Sequence, residues 1–308
     1  MRRAVIDVGS NSLLLLVAEN DGFDWQPVYE TSHVTGLGKN TKRTKQLDKD
    51  GSQNALAALK KAFEEAREHG AEVVEAYGTM ALRIAEDADG WLRQAKDQET
   101  PVTVISGDTE AELGFYAVAD DPTFAHEDLI SIIDPGGHST ELKLARRQGD
   151  DWQTIFSRSF HTGALALREG PFQNPQPGFR ERLAAVQEVD TEIGLEFLPG
   201  ASGRAVCLGA TGVNLITMRE GITDWAPEKI HGQVLDYEEV SKFVDKLCAT
   251  DDEGRAKFKG LEKGREYTIH AGALILERFL QCLHVLGCTV SVRGWRHAVL
   301  TRGVPKNQ

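Results

Sequence analysis

The sequence has few cysteines, and their spacing excludes several classes of protein. The four cysteines are Cys207, Cys248, Cys282 and Cys288. No two of them have the C-x-x-C spacing of zinc sites or thioredoxin-like redox sites. A scaffold held together by disulfides is not expected in a chain of 308 residues with so few cysteines. We therefore expect reduced, structural thiols in a cytoplasmic protein.

The sequence also lacks a long apolar run and an excess of positive charge. No apolar stretch reaches the length that a membrane-spanning helix needs. Asp7 interrupts the run that follows Arg2 and Arg3, which argues against a signal peptide. The chain has 35 Lys and Arg against 47 Asp and Glu, a formal net charge of −12. This balance argues against nucleic acids and anionic membranes as partners, and an anionic substrate would need a local positive patch or a metal ion.

Strand-like and helix-like segments alternate through the first half of the chain, which predicts an α/β fold. Strands are predicted in RRAVIDVG, SLLLLVAEN, AEVVEAYGT, PVTVIS and DLISIIDPGG. Helices are predicted in SQNALAALKKAFEEAREHG, MALRIAED and DTEAELGFYAVAD, and later in SKFVDKLCAT and TIHAGALILERFLQCLHVLG. The first of these helices is expected to end at Gly70, and its predicted apolar face consists of Ala55, Leu56, Leu59, Ala62, Phe63 and Ala66.

One motif occurs twice, each time between an apolar strand and a following strand. Residues 6–12 read IDVGSNS and residues 133–139 read IDPGGHS, so the chain resembles a duplication with one Asp-x-Gly hairpin in each half. Small residues in such a turn let backbone N–H groups reach a phosphate. Asp7 and Asp134 stand at the strand ends, where carboxylates can hold Mg²⁺. The pattern favours phosphoryl-transfer chemistry, and two ordinary hairpins are the alternative.

The segments DVGSNS, ISGDTEAEL and DPGGHSTEL resemble motifs of the exopolyphosphatase/guanosine pentaphosphate phosphatase (Ppx/GppA) family. YGTMALRIAED, FHTGALALREGPF and CLGATGVNLI resemble further segments of that family, so the resemblance covers nearly the whole chain. It implies an actin-like ATPase fold, in which two RNase-H-like α/β domains flank an interdomain active-site cleft. We expect the first domain over residues 1–124 plus about 290–308 and the second over residues 125–289, as in the short two-domain form of the family.

The resemblance implies a role for each matching residue. Glu110 matches the catalytic base, which would accept a proton from the water that attacks the terminal phosphorus. Glu112 is the competing assignment, and helix geometry lets only one of the two carboxylates face the cleft. The implied magnesium ligands are Asp7, Asp134 and Glu141. The implied phosphate-binding residues are Gly9, Ser10, Asn11, Ser12, Arg83, Gly136, Gly137, His138, Ser139 and Thr211.

Structural alternatives stand beside several of these roles. Buried acids on a sheet also occur as hydrogen-bonded structural groups. Arg83 either clamps a phosphate in a bidentate way or forms an ion pair on the helix surface with Glu86. The basic stretch GKNTKRTKQLDK, residues 38–49, either steers a polyanion or is a solvated loop.

The chain departs from the family pattern inside the second phosphate loop, where His138 replaces the third glycine. Its side chain adds bulk and, when protonated, positive charge, which would either tune the chain-length preference or impair the site. Three further segments also differ from the family: Gly209-Ala210-Thr211, Arg265-Glu266-Tyr267 and Gly294-Trp295-Arg296-His297-Ala298.

These features favour a Mg²⁺-dependent exopolyphosphatase that hydrolyses the terminal phosphate of inorganic polyphosphate. Guanosine pentaphosphate is the alternative substrate within the same reaction class. An ATP-dependent kinase of the same fold and a non-catalytic guanosine-tetraphosphate sensor are the alternatives from other classes. The family resemblance also suggests a homodimer.

Overall fold

The chain folds into two compact units. A computed structural model describes residues 1–22 and 24–305. The first unit consists of Met1–Ala117 and the C-terminal segment that begins at Trp295, and the second unit is Val118–Gly294. The expected boundaries near residues 124 and 290 stay a prediction.

The first unit is built on a five-stranded sheet. Its strands are β1 (Arg2–Val8), β2 (Ser12–Asn20), β3 (Trp25–Val34), β4 (Val73–Gly78) and β5 (Thr103–Val104). They lie in the order β3-β2-β1-β4-β5, with β1–β2 and β2–β3 antiparallel and β4 parallel to β1 and to β5. The helices of this unit are α1 (Thr41–Thr44), α2 (Lys49–Glu68), α3 (Met80–Ile84), α4 (Ala88–Asp97) and α5 (Gly107–Ala119).

The second unit is built on a six-stranded sheet in the order β10-β11-β9-β6-β7-β8. Its strands are β6 (Leu129–Pro135), β7 (Thr140–Gln148), β8 (Asp151–Phe160), β9 (Arg204–Cys207), β10 (Val234–Asp236) and β11 (Gly287–Val290). Its helices are α6 (Ala164–Glu169), α7 (Phe179–Ile193), α8 (Gly209–Glu220), α9 (Pro227–Ile230), α10 (Tyr237–Cys248), α11 (Asp252–Arg255) and α12 (Ile269–Cys282), and α13 (Trp295–Arg302) then returns to the first unit.

The two sheets share one connectivity, which confirms the α/β prediction and the predicted actin-like fold. In each unit three antiparallel strands come first in the chain, as β1–β2–β3 and β6–β7–β8. A parallel strand then joins the first strand of the three, β4 beside β1 and β9 beside β6. The repeated hairpin motif therefore occupies the same position in both sheets, between the first and second strands.

Both faces of strand β1 are buried, which explains its nearly continuous apolar sequence. Because side chains alternate along a strand, Ala4, Ile6 and Val8 join a core with helix α2, while Val5 joins a core with helix α13. Asp7 lies on the same side as Val5, two residues further along the strand. Of the apolar face predicted for α2, Leu56 alone is only half-buried.

Local signals set the ends of helix α2. The Asp48 side chain caps the helix by accepting a hydrogen bond of 2.8 Å from the Gly51 N–H. The helix ends at Glu68, and Gly70 follows with φ +79°, a left-handed conformation that favours glycine. Strand β5 covers only two residues of the predicted PVTVIS strand, since it pairs only with Tyr77 and Gly78 at the end of β4.

Other expectations concern cysteines and membranes. All four cysteines are buried and free, as expected for structural thiols. Among the helices within residues 1–22 and 24–305, none is both long and apolar enough to cross a membrane.

Candidate active site

The turns after strands β1 and β6 are closed by the same hydrogen bond. The Gly9 N–H donates to the Ser12 carbonyl at 2.9 Å, and the Gly136 N–H donates to the Ser139 carbonyl at 2.9 Å. A Cβ atom on either glycine would lie 2.9 Å from that carbonyl oxygen, so a larger residue would strain both turns. The motif repeat is therefore a repeat of backbone geometry. That the two hairpins face each other across a cleft stays a prediction.

The carbonyl groups of the first turn are held by the loop that follows strand β3. The N–H groups of Thr35 and Gly36 donate to the Asn11 carbonyl at 2.9 and 3.0 Å, and the Gly38 N–H donates to the Ser10 carbonyl at 2.7 Å. The Ser12 hydroxyl is buried and, among the described residues, has no hydrogen-bond partner. This hydroxyl is therefore suited to donate to an anionic ligand.

The carbonyl groups of the second turn are held by the start of helix α6. The Ala164 N–H donates to the Gly136 carbonyl at 2.9 Å, and the Leu165 N–H donates to the Gly137 carbonyl at 2.7 Å. A Cβ atom at Gly163 would lie 2.5 Å from the Gly137 carbonyl group, so glycine is required for this close approach. Helix α6 and the turn therefore form one hydrogen-bonded unit.

The His138 side chain is fully buried. Its Nε2 lies 3.7 Å from a carboxylate oxygen of Glu169, near the end of helix α6. Neither ring nitrogen has a hydrogen-bond partner in the part of the chain that the structure describes. The sequence predicts that the charge of His138 acts on phosphate, and the structure adds a carboxylate beside the ring.

Asp134 and Glu141 lie directly opposite each other on the antiparallel strands β6 and β7. Opposed residues of an antiparallel pair project to the same face of the sheet, so their carboxylates share one face. The Ser159 hydroxyl of strand β8 donates to Oε1 of Glu141 at 2.7 Å. A Cβ atom at Gly209 would lie 2.7 Å from Oδ1 of Asp134, so this glycine leaves room for the carboxylate.

This pair has the chemistry that a magnesium site needs. Mg²⁺ is commonly held by one or two carboxylates and completes its shell with water and substrate phosphates. Among the described residues, no group of three or more His, Cys, Asp or Glu side chains is placed to hold a metal ion. Asp134 and Glu141 offer two carboxylates on one face, and their role as magnesium ligands, like that of Asp7 in the other unit, stays a prediction.

Thr211 lies in the first turn of helix α8, with only 7% of its surface exposed. A Cβ atom at Gly272 of helix α12 would lie 2.5 Å from its Oγ1, so the hydroxyl packs against that helix. Its predicted contact with phosphate stays a prediction.

Glu110 and Arg83 form an ion pair inside the first unit. Nη1 of Arg83 lies 3.0 Å from Oε2 of Glu110, and the two side chains are 18% and 17% exposed. The same Nη1 donates to the Ile105 carbonyl at 2.9 Å. Burial raises the pKa of the Glu110 carboxyl, and the charge of Arg83 and its hydrogen bond oppose that rise. Arg83 thus pairs with the predicted catalytic base. Its observed partner is Glu110, not Glu86, which was the alternative expected from the sequence.

Arg296 is a buried cation whose charge acts on Asp7, and the sequence gives it no role. It lies in helix α13 with 8% of its side chain exposed, and its Nη2 is 3.8 Å from Oε2 of Glu30. Burial lowers the pKa of Arg296, and the charges of Glu30 and Asp7 oppose this change. Its Nη1 is buried without a hydrogen-bond partner in the described chain. The available sequence signal was that Arg296 lies in the segment Gly294-Trp295-Arg296-His297-Ala298, which differs from the family pattern.

Comparisons with known proteins agree with these motifs. The sequence profile of the Ppx/GppA phosphatase family matches residues 16–307. A putative exopolyphosphatase of Haemophilus influenzae is 25% identical over 96% of this chain and 90% of its own length. A guanosine-5'-triphosphate,3'-diphosphate pyrophosphatase of Vibrio vulnificus is 24% identical over 94% of this chain, which spans only 56% of that protein. The chain spans still less, 43%, of a bifunctional 3-dehydroquinate synthase/phosphatase of Fusobacterium nucleatum.

A solved structure shows the same relationship. The crystal structure of the Aquifex aeolicus member of the Ppx/GppA family is 28% identical in sequence and has a TM-score of 0.77. The match covers 97% of this chain and 96% of that chain. The resemblance read from the motifs is confirmed by both the profile and this structure, and the chain belongs to the Ppx/GppA phosphatase family.

Proposed function

We propose that the protein is an exopolyphosphatase, which releases the terminal phosphate of inorganic polyphosphate by attack of water on phosphorus. The observation that carries the proposal is the pairing of Arg83 with Glu110 at 3.0 Å. Hydrolysis of a phosphoanhydride needs a base for the water and positive charge for the phosphate oxygens, and this pair supplies both. The Haemophilus influenzae relative, named a putative exopolyphosphatase, supports the choice of substrate.

Glu110 is the proposed general base. Its carboxylate accepts a proton from the attacking water, and burial raises its pKa, which makes the ionised carboxylate a stronger base. Glu110 also lies in the first turn of helix α5, where the helix dipole stabilises a negative charge. The backbone of Glu110 is therefore fixed by the helix, and its carboxylate is oriented by Arg83.

Arg83 is the proposed phosphate ligand. Its Nη1 donates hydrogen bonds to Oε2 of Glu110 and to the Ile105 carbonyl. Its Nη2 lies 3.7 Å from the sulfur of Met80, and a thioether is a weak acceptor. A phosphate oxygen is a much stronger partner for this donor, so Arg83 can hold the substrate through Nη2 while Nη1 still orients the base.

The two turns are proposed to bind phosphate oxygens through their backbone N–H groups. The N–H groups of Gly9 and Gly136 close the turns, so the proposed donors are those of Ser10, Asn11 and Ser12 in the first turn and of Gly137, His138 and Ser139 in the second. Successive N–H groups in a tight turn form a concave site for an anion. The buried Ser12 hydroxyl adds a donor that lacks a protein partner in the described chain.

Asp134 and Glu141 are proposed to hold Mg²⁺ on the face of strands β6 and β7. The ion, when bound, would neutralise charge on the phosphate oxygens. Ser159 holds one oxygen of Glu141 and so fixes the orientation of that carboxylate.

Guanosine pentaphosphate is the second candidate substrate. The Vibrio vulnificus relative named for hydrolysis of a guanosine phosphate matches 94% of this chain, and the proposed chemistry at the terminal phosphate is the same.

Phosphate release from polyphosphates of defined length and from guanosine pentaphosphate, with Mg²⁺ and without an acceptor, tests the proposal. We expect release from polyphosphate by the wild type and its loss in Glu110→Gln. Glu112→Gln is the matched control, because it removes a carboxylate two residues further along the same helix. Release from guanosine pentaphosphate alone would favour the second substrate. ATP-dependent phosphorylation of an added acceptor, or ligand binding without turnover, would overturn hydrolysis.

A further inference from the structure

We propose that the basic segment, defined as residues 39–49, binds the part of a long polyphosphate chain that extends beyond the phosphates held at the first turn. The proposal rests on the proposed function and extends it from the terminal phosphate to the remainder of the polymer. It assigns a distal subsite within the first unit to a segment that could otherwise be a solvated loop.

The basic segment concentrates positive charge in an acidic protein. Its eleven residues, KNTKRTKQLDK, contain five Lys or Arg and one Asp, whereas the chain as a whole carries a net charge of −12. Lys39, Arg43 and Lys45 are exposed, and Lys42 is half-buried. The electrostatic potential near this segment is therefore positive although the protein as a whole is negative, which favours the encounter and binding of a polyanion there.

The segment is attached at its start to the first phosphate-binding turn. Gly38, the residue before Lys39, donates its N–H to the Ser10 carbonyl at 2.7 Å. Thr35 and Gly36, just before it, donate to the Asn11 carbonyl. The first cation of the segment is thus one residue away from a direct hydrogen bond to the turn. A chain whose terminal phosphate lies at this turn has the basic segment beside it.

The segment is attached at its end to the residues that follow helix α3, which carries Arg83. The Glu86 N–H donates to the Lys45 carbonyl at 2.8 Å, and the Leu47 N–H donates to Oδ1 of Asp87 at 2.9 Å. The carboxylate of Asp87 is therefore engaged by the backbone. The basic segment therefore connects the turn and the helix that are proposed to hold the substrate.

The backbone within the segment has a defined and uncommon shape. Asn40 and Lys45 flank helix α1 with φ values of +59° and +57°, in the left-handed region that residues other than glycine rarely adopt. The Lys45 N–H donates to the Thr41 carbonyl at 2.9 Å, and the Thr44 hydroxyl to the Asn40 carbonyl at 3.1 Å. These bonds fix the backbone that carries the cations, so less backbone freedom is lost on binding.

The charge pattern favours long-chain inorganic polyphosphate as the occupant. Only a polymer has further phosphates to offer to cations that lie beyond the turn and Arg83. Guanosine pentaphosphate and tripolyphosphate place few phosphates outside the reacting end, so they gain little from the basic segment. Loss of these cations should therefore act on long substrates selectively.

The test compares two triple variants with the same change of charge. K39Q/R43Q/K45Q removes two lysines and one arginine from the basic segment. K60Q/R93Q/K96Q removes two exposed lysines and one exposed arginine from helices α2 and α4 of the same unit. All six side chains are exposed, so both variants should fold normally.

The kinetic readout is the KM for long-chain polyphosphate and for tripolyphosphate at about 0.1 M salt, where screening is moderate. We expect the segment variant to raise the KM for the long chain by at least about fivefold, since each exposed ion pair contributes up to about fivefold. Tripolyphosphate should change by less than about twofold, and the control variant should change neither substrate by more than that. Equal effects on both substrates, or equal effects of both variants, would overturn the proposal.

Direct binding separates this proposal from the proposed function. Labelled long-chain polyphosphate is titrated against wild type and both variants without turnover, in the absence of Mg²⁺. Weaker binding by the segment variant alone supports the subsite even if the wild type hydrolyses no polyphosphate, in which case only the proposed function fails. Unchanged binding in the segment variant overturns the subsite, whatever the activity.

Discussion

Breaking the Arg83–Glu110 pair should destabilise the first unit and stop catalysis by separate routes. Arg83→Gln leaves a largely buried carboxylate without its cation, and Glu110→Gln leaves a largely buried guanidinium without its anion. The double variant removes both charges. Together with the wild type, these three proteins form a double-mutant cycle that isolates the interaction of the two side chains.

The structure sets the size of the coupling. Two unit charges 3.0 Å apart interact by about 1.4 kcal/mol at the dielectric constant of water and by about 5.5 kcal/mol at an effective value of about 20. The side chains are 18% and 17% exposed, so solvent screens the pair in part. We expect a coupling free energy of about 1.5–3 kcal/mol, within the range of contacting residues.

The pH dependence of stability has a definite sign. In the folded protein the pKa of Glu110 lies above its ordinary value of 4.5, chiefly because of burial. The folded state therefore holds this proton more tightly than the unfolded state. The resulting stability is fully present below about pH 4.5 and is lost as the pH rises through the folded-state pKa. In Glu110→Gln this pH-dependent loss of stability disappears, because the amide does not titrate. In Arg83→Gln the loss continues to higher pH, because the charge that lowers the pKa of Glu110 is gone.

Urea unfolding of the four proteins at several pH values measures the coupling, and phosphate release measures catalysis. Glu110→Gln should lower kcat by about 10²–10⁴-fold with a much smaller change in KM, because the amide keeps the shape of the side chain. Arg83→Gln should raise KM as well, since it removes a proposed phosphate ligand. A coupling below about 0.5 kcal/mol, or unchanged turnover in Glu110→Gln, would refute this account of the pair.

Three further predictions concern other residues of the site. Asp134→Asn and Glu141→Gln should each lower turnover at saturating Mg²⁺ by at least about tenfold while thermal unfolding stays near that of the wild type; unchanged turnover removes that residue from the proposed metal site. Arg296→Lys should fold but lose turnover, because a compact ammonium beside Glu30 no longer places its charge where the guanidinium acts on Asp7. Arg296→Gln should cost about 3 kcal/mol of unfolding free energy by leaving Glu30 buried without its cation, and equal stability would contradict that pairing. His138→Gly should flatten the pH dependence of KM for polyphosphate, which is measured beside the wild type across the same pH range.

The strands and hairpins of the site could be predicted because their signals are local. Strand β1 is buried on both faces, so its apolar run is nearly continuous, and Asp7 stands out as the one carboxylate inside it. Gly9 and Gly136 are required by a carbonyl oxygen only three residues further along the chain. Sequence patterns of this range identify the turns, their repetition and the α/β class.

The partners of the charged groups could not be predicted, because each pair depends on tertiary packing. Glu86 is the carboxylate nearest to Arg83 in sequence, whereas the observed partner Glu110 lies in the first turn of another helix, after strand β5. Asp7 and Arg296 lie near opposite ends of the chain, and only the return of helix α13 to the first sheet brings their charges close enough to interact. The residue types in the sequence do not by themselves reveal which charged groups are close in the fold.

His138 shows how a tertiary neighbour changes a prediction made from a motif. Its protonated form would attract an anionic substrate, so binding of polyphosphate should tighten as the pH falls. Glu169 lies 3.7 Å from the imidazole, so a carboxylate of helix α6 stands beside the ring that the motif alone assigns to phosphate. His138→Gly should abolish the pH dependence of KM. Parallel profiles in the wild type and this variant would place the imidazole outside the interaction with substrate, as a packing residue between the second turn and helix α6.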